Sequence, residues 1–283
     1  MKSFPISMLA AVASLQLVAS APIFDSSHQH VFKDQSSTAS DIRKSLKKAE
    51  VIPDVLDDFA PLFSLNISYP KTRVNVNLGN NIKPSDVSSS PDIYVDSPAD
   101  STEASDPIFH IQAIGDSDSS TPTPTLRSDT TYALALTDPD ATSHADPKMA
   151  EMCHWLVTDL TLGDSSLEPT IHLPLEFRTT AADLQFSELE SLDIVSTSGK
   201  PTELMSYYPP APPPKTGYHR YVFVLLAPKA DSTDVRDAAG LKKPKERPHW
   251  GYGKIGKGVR DWAEDNGMAP VGANFFYAKN KKQ

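Results

Sequence analysis

The stretch that most constrains this chain is RYVFVLLA, residues 220–227, entered directly from the proline-rich run YYPPAPPPKTGYH. A nearly unbroken apolar run bounded by turn formers reads as a strand buried on both faces, and so as the centre of a sheet with a layer on either side. Pro209, Pro210, Pro212, Pro213 and Pro214 cannot donate to a strand ladder, so they form a stiff wall ahead of the strand rather than an extension of it. Successive strand side chains alternate, which puts His219 and Tyr221 on one face and Arg220 on the other.

The segments TYALALTD (131–138) and CHWLVTDL (153–160) carry a similar signal, and LFSLNISYP (62–70) and RVNVNLGN (73–80) alternate as half-buried strands do. Helix signals are fewer. Ser40 as N-cap, Ile42, Leu46 and Ala49 on one face and Pro53 as a stop predict one helix. The stripe Val259, Trp262, Ala263 before Asn266-Gly267 predicts another. Residues 96–131, rich in Asp, Ser, Thr and Pro, read as an insertion whose apolar island PIFHIQAI (107–114) supplies one strand. The expectation is a mainly β domain over residues 46–283 with a few peripheral helices.

Residues 1–20 have a basic start at Lys2, an interrupted apolar stretch from Ile6 to Val18, and Val18 and Ser20 where signal peptidase reads small residues before Ala21. They read as a signal peptide, followed by a flexible N-terminal segment at 21–45 and export to the medium, the secretory pathway or a vacuolar lumen. Asn66-Ile67-Ser68 is a sequon, so Asn66 is the expected glycosylation site in that compartment. No stretch reaches the 18 apolar residues of a transmembrane helix. The single cysteine, Cys153, cannot form an internal disulfide, and stability has to come from the core. A net charge of −9 repels phosphate backbones and argues against nucleic acid as a partner.

Chemistry-bearing residues gather at the strand ends. Asp138 and Asp140 flank Pro139 after one strong strand, His154 begins the next, and His219 and Tyr221 begin the third. Proline fixes the direction in which the Asp138 turn presents its carboxylate. Cys153, adjacent to His154, must face the other way and reads as a small buried hydrophobe rather than a nucleophile. Two histidines and a tyrosine can donate hydrogen bonds while a carboxylate fixes a histidine tautomer, which suits a small oxyanion such as a phosphate monoester, sulfate or carboxylate. The chain lacks G-x-S-x-G, H-E-x-x-H, a P-loop and G-x-G-x-x-G. A hydrolase with histidine as base is the weaker reading, and neither metal nor cofactor is expected.

LTDPDATSHADPKMAEMCHWLV and YYPPAPPPKTGYHRYVFVLL closely resemble the two signature regions of the phosphatidylethanolamine-binding protein family, and ERPHWGYGKIGKGVRDWAEDNGMAPVGANFFYAK (246–279) is most similar to its carboxypeptidase Y inhibitor branch. The resemblance spans about residues 46–279 and departs from the family pattern at Thr142, Met152 and Ala211. It implies an antiparallel β-sandwich of Greek-key type and an anion pocket formed by Asp138, His154, Pro212, Pro213, His219 and Tyr221, with Asp140 supporting the turn. It further implies a phosphate-bearing small molecule or phospholipid head group as ligand, a serine carboxypeptidase as an alternative partner, and no catalysis.

Overall fold

The computed structural model of the chain describes residues 37–96, 98, 130–161, 201–229 and 240–283. The expected signal peptide at 1–20, residues 21–36 of the expected flexible segment, the island at 107–114 and nearly all of the insertion placed at 96–131 lie outside the described residues. In chain order the elements are α1 (Ala39–Lys48), a one-turn α2 (Val51–Asp54), β1 (Ser64–Tyr69), β2 (Val74–Val76), β3 (Asn80–Asn81), β4 (Asp92–Asp96), β5 (Thr131–Asp138), β6 (Met152–Thr161), β7 (Thr202–Met205), β8 (Tyr218–Pro228), α3 (Val259–Asp265) and β9 (Met268–Lys279).

Two sheets result: β2-β1-β4, and a larger one ordered β3-β9-β8-β5-β6-β7. The expected mainly β sandwich is what forms, and β8-β5-β6-β7 is the spatial order of a Greek key, the fourth strand returning beside the first. The described pairings are antiparallel except β3 with β9. The apolar run of β8 is indeed central. Tyr221, Phe223, Leu225 and Ala227 pack between the sheets, while Val222, Val224 and Leu226 pack on the other face beneath α1 and α3.

The first helix departs from the sequence reading. Its cap is Thr38, whose hydroxyl oxygen accepts from the Asp41 amide at 3.0 Å, so Ser40 lies inside the first turn. The helix stops at Lys48 rather than at Pro53, because the chain turns through Glu50 with φ 56° and Pro53 belongs to the separate turn α2. Residues 39–45, expected in the flexible segment, are therefore helical, with Ile42 buried against the helix-side core. The capping residue lay two positions upstream because Thr38-x-x-Asp41 offers a mutual cap that Ser40 does not.

Strands β4 and β9 carry weaker signals in the sequence. In β9, Pro270 and Gly272 interrupt the apolar pattern, and the ladder skips Val271 between Leu226–Pro270 and Leu225–Gly272. That bulge turns the Val271 carbonyl toward the other sheet, where it accepts from the Leu62 and Phe63 amides at 2.8 and 3.0 Å.

Candidate functional site

The two hydrogen-bond registers of β5 and β6 explain how His154 is aimed. Leu136 faces Trp155 but Thr137 faces Cys153, so β6 carries one extra residue at that point, a bulge at His154–Trp155. Cys153 thus joins the helix-side core, as expected, while His154 and Trp155 both point to the sandwich side. Asp138 shares that face with Leu134 and Leu136, and His219 with Tyr221 and Phe223. Four polar side chains from three strand ends are thereby brought to one edge.

Asp138 is the centre of the site. Its Oδ1 accepts from the Asp140 amide at 2.8 Å, and its Oδ2 accepts from Nδ1 of His219 at 2.8 Å. Burial, followed by the Asp138 carboxylate, holds the Tyr221 phenol well above its ordinary value, so it remains a protonated donor. The Tyr221 ring lies parallel to His219 with centroids 6.4 Å apart and takes His154 against it in a T-shaped contact at 5.2 Å. His219 and Tyr221 each keep 1% of their surface and His154 keeps 3%.

His219 has partners at both ring nitrogens, and His154 at one. Nδ1 of His154 donates to the Tyr208 carbonyl at 2.7 Å. Burial pushes the His154 imidazole below its ordinary value against the pull of Asp138, so this ring is neutral at pH 7 and its Nε2 is an acceptor. Nε2 of His219 lies 2.9 Å from the Thr216 hydroxyl, which also reaches the Pro213 carbonyl at 2.8 Å. Thr216 has one proton for those two partners, so Nε2 of His219 and the Pro213 carbonyl compete for it. The donor count expected from sequence is therefore corrected, with His154 presenting a lone pair where an N–H was anticipated.

The β7–β8 crossover forms the wall of the site. Pro212 is buried and its carbonyl accepts from the Asn280 amide at 2.9 Å, while Pro213 is exposed and enters only through its carbonyl. Gly217, at φ 80°, makes the turn from Thr216 into β8 that a side-chain-bearing residue would strain. Sequence reasoning missed Thr216, Tyr208 and Arg247. Arg247 stacks over the Tyr208 ring at 5.2 Å and donates to the Cys153 and Ser206 carbonyls, fastening the crossover to the start of β6. A threonine three residues before a strand histidine was the available signal for Thr216; a lone arginine in a loop offered none for Arg247.

Asp140 stands apart from the other site residues. It binds Arg220, on the opposite face of β8, through Nε at 3.0 Å, Nη2 at 2.8 Å and the Arg220 amide at 2.8 Å, and it also bonds His144 at 2.7 Å. Burial pushes the Asp140 carboxyl up, and Arg220 more than offsets that, leaving it below its ordinary value. Its role is to fix the Asp138–Asp140 turn from behind. Asn66 lies in β1 with its amide donating to Asp96. Burial lifts the Cys153 thiol to about 12, which leaves it unreactive. Among the described residues no cluster of three or more His, Cys, Asp or Glu side chains could hold a metal.

The chain is 38% identical over 154 residues to carboxypeptidase Y inhibitor of Saccharomyces cerevisiae, a match that spans 54% of this chain and 61% of that inhibitor. A crystal structure of carboxypeptidase Y inhibitor complexed with its cognate proteinase shares the fold with a TM-score of 0.62 at 29% identity, covering 86% of this chain and 97% of that one. The fold is also that of a phosphatidylethanolamine-binding protein from Plasmodium vivax, at a TM-score of 0.50 and 21% identity over 84% of this chain and 97% of that one. The family model for phosphatidylethanolamine-binding protein matches residues 75–276, a span that contains Asp138, His154, His219 and Tyr221, and the chain belongs to that family.

Proposed function

We propose that this protein binds a small phosphate-bearing molecule, a phospholipid head group or a similar anion at the Asp138–His154–His219–Tyr221 site, and that it does so without catalysis. The observation that carries this reading is the buried Asp138–His219 pair, closed by Thr216 on one side and by His154 and Tyr221 on the other. Polar groups built into a core at the cost of desolvation mark a binding site more often than a structural accident. Among the described residues Cys153 faces the other core and the Thr216 proton is shared within the protein, so neither is placed as an activated nucleophile.

Truncating His219 to alanine would strand Asp138 without its partner, so the informative variant is His219→Asn, whose amide can replace Nδ1–H while removing Nε2. It is expected to keep the fold and, since the ligand would take the place of the Thr216 hydroxyl at Nε2, to bind phosphorylethanolamine at least about tenfold more weakly in calorimetry. Equal binding by variant and wild type, or none by wild type, would remove the ligand from this site. The proposed location is the secretory or vacuolar lumen, after cleavage near Ala21, with Asn66 glycosylated; its pairing with Asp96 is a contact that a glycan would have to replace.

Serine carboxypeptidase inhibition is the second reading, favoured by the similarity to carboxypeptidase Y inhibitor. A nearly closed site cannot supply the roughly 1,600 Å² of a tight protease interface, so the contact would use surface beyond it, the segment ahead of α1 included. A deletion that tests this must spare Thr38, and removing residues 21–35 does so. The expected result is inhibition weakened at least about tenfold, or about 1.4 kcal/mol, with His219→Asn nearly unaffected. Inhibition lost with His219→Asn and kept by the deletion would instead place the protease contact at the anion site.

A further inference from the structure

The outer face of the small sheet is polar except at one place. β1 turns Leu65, Ile67 and Tyr69 to the core, which leaves Ser64, Asn66 and Ser68 outward, and the register sets Asp96, Tyr94 and Asp92 of β4 directly opposite them. On the other side Ser68 faces Asn75 of β2, while Val74 and Val76 pack inward. Among the described residues of these three strands, the half-buried Tyr94 is therefore the one aromatic side chain on that face. Its cross-strand partner is Asn66, the asparagine of the chain's single sequon. Directly opposed residues of an antiparallel pair hold their β-carbons about 4.5–5.5 Å apart on the same face. The Asn66 amide donates to Asp96, one step along the diagonal.

We propose, resting on the lumenal reading above in which Asn66 is glycosylated, that Tyr94 and Asp96 form the seat of that glycan, with its first N-acetylglucosamine lying over the Tyr94 ring. A pyranose presents C–H bonds on its flat face, and these are attracted to the negative face of an aromatic ring. Transfer from a lipid pyrophosphate donor forms the bond from C1 of the sugar to Nδ2, breaks the C1–O bond to the pyrophosphate and releases one amide proton. Because β1 is the middle strand of its sheet, that transfer has to precede folding. Once the strands pair, the Asp96 carboxylate takes a sugar hydroxyl or the acetamido N–H in exchange for the Asn66 amide. The β2 side offers Asn75 and no ring, so the sugar leans toward β4. β4 is the last strand of the small sheet, and an edge covered in this way is withheld from pairing with other chains.

The full chain expressed in a secreting fungal host, with its glycan trimmed by an endoglycosidase to the first N-acetylglucosamine, provides the test. Ser68→Ala removes the sequon and leaves Asn66 and Tyr94 in place. Loss of the sugar through Ser68→Ala is expected to lower the thermal midpoint by about 2–4 °C beside Tyr94, the size of one aromatic stacking contact in a domain of this length. The same loss is expected beside Tyr94→Phe, which keeps the ring. Beside Tyr94→Thr, a strand former without a ring, the change should fall below about 1 °C. Direct effects of Ser68→Ala cancel in this cycle. The acetamido methyl protons should also resonate upfield of their position in Tyr94→Thr, through the ring current. A glycan at Asn66 with equal midpoint changes in all three backgrounds and no ring-current shift would overturn the inference and leave the glycosylation reading standing. No glycan at Asn66, whether the chain stays in the cytosol or the sequon is passed over, would overturn both.

Discussion

Asp140→Ala is expected to destabilise the protein by about 3–5 kcal/mol, the cost of removing one partner from a buried ion pair, against a total domain stability of about 5–15 kcal/mol. Asp140 keeps 2% of its surface and Arg220 keeps 5%, and their bonds join the turn after β5 to the start of β8. The guanidinium would retain the Asp54 carboxylate at 2.9 Å and the Ala49 carbonyl at 3.0 Å, but Asp54 is largely solvated and replaces little of what is lost. Denaturant midpoints measure the effect. A loss below about 1 kcal/mol would mean that water reaches the vacated position and that the pair is not desolvated. The double variant Asp140→Leu with Arg220→Met separates charge from geometry, because replacing both partners by apolar groups is often close to neutral.

That pair also marks where the sequence was legible. Strand alternation alone placed Arg220 opposite His219, and it does face the helix side. It could not show that Asp140 would follow Arg220 rather than Asp138, since the two carboxylates are two residues apart in a turn whose path is set by tertiary contacts. The central strand β8, the strands β5 and β6 and helix α3 were readable because their patterns are long and flanked by turn residues. The bulge at His154 was not, since an extra residue leaves no mark in hydrophobic periodicity. Without the bulge His154 would still face away from Cys153, but Trp155 would turn to the helix side. Likewise the tautomer of His154 depends on the Tyr208 carbonyl, a backbone group 54 residues away that no side-chain motif encodes.

Glu151 yields the second large effect, and here the sign runs against the usual behaviour of a carboxylate. Its side chain is buried between β5, β6 and α3, accepting from the Thr137 hydroxyl at 2.9 Å and the Val259 amide at 3.3 Å, while Thr137 takes the Trp250 indole N–H at 3.0 Å. A β-carbon on Gly258 would lie 2.0 Å from the Glu151 carboxyl carbon, so glycine is what lets the chain pass this close. Burial raises the carboxyl from 4.5 to about 7, and the hydrogen bonds from Thr137 and Val259 recover only part of that. The folded state therefore holds this proton more tightly than the unfolded chain. Its contribution to stability is fully present below pH 4.5 and is lost as pH rises toward 7, by about 3 kcal/mol at about 1.4 kcal/mol per unit. Asp140, held below its ordinary value, acts at lower pH, where its contribution fades as pH falls below 3.8. His154 titrates in an overlapping window with the opposite sign, because its depressed value favours the folded state as pH rises through 6.5. Only a difference between variants isolates Glu151. Glu151→Gln keeps a carbonyl acceptor without the ionisation, so it should match the wild type near pH 4.5 and exceed it by up to about 3 kcal/mol at pH 8. Parallel stability curves for the two proteins across that range would show that the carboxylate is hydrated in the folded state and does not carry the proton. The wild type loses this term on the alkaline side, and Glu151→Gln should remove that loss.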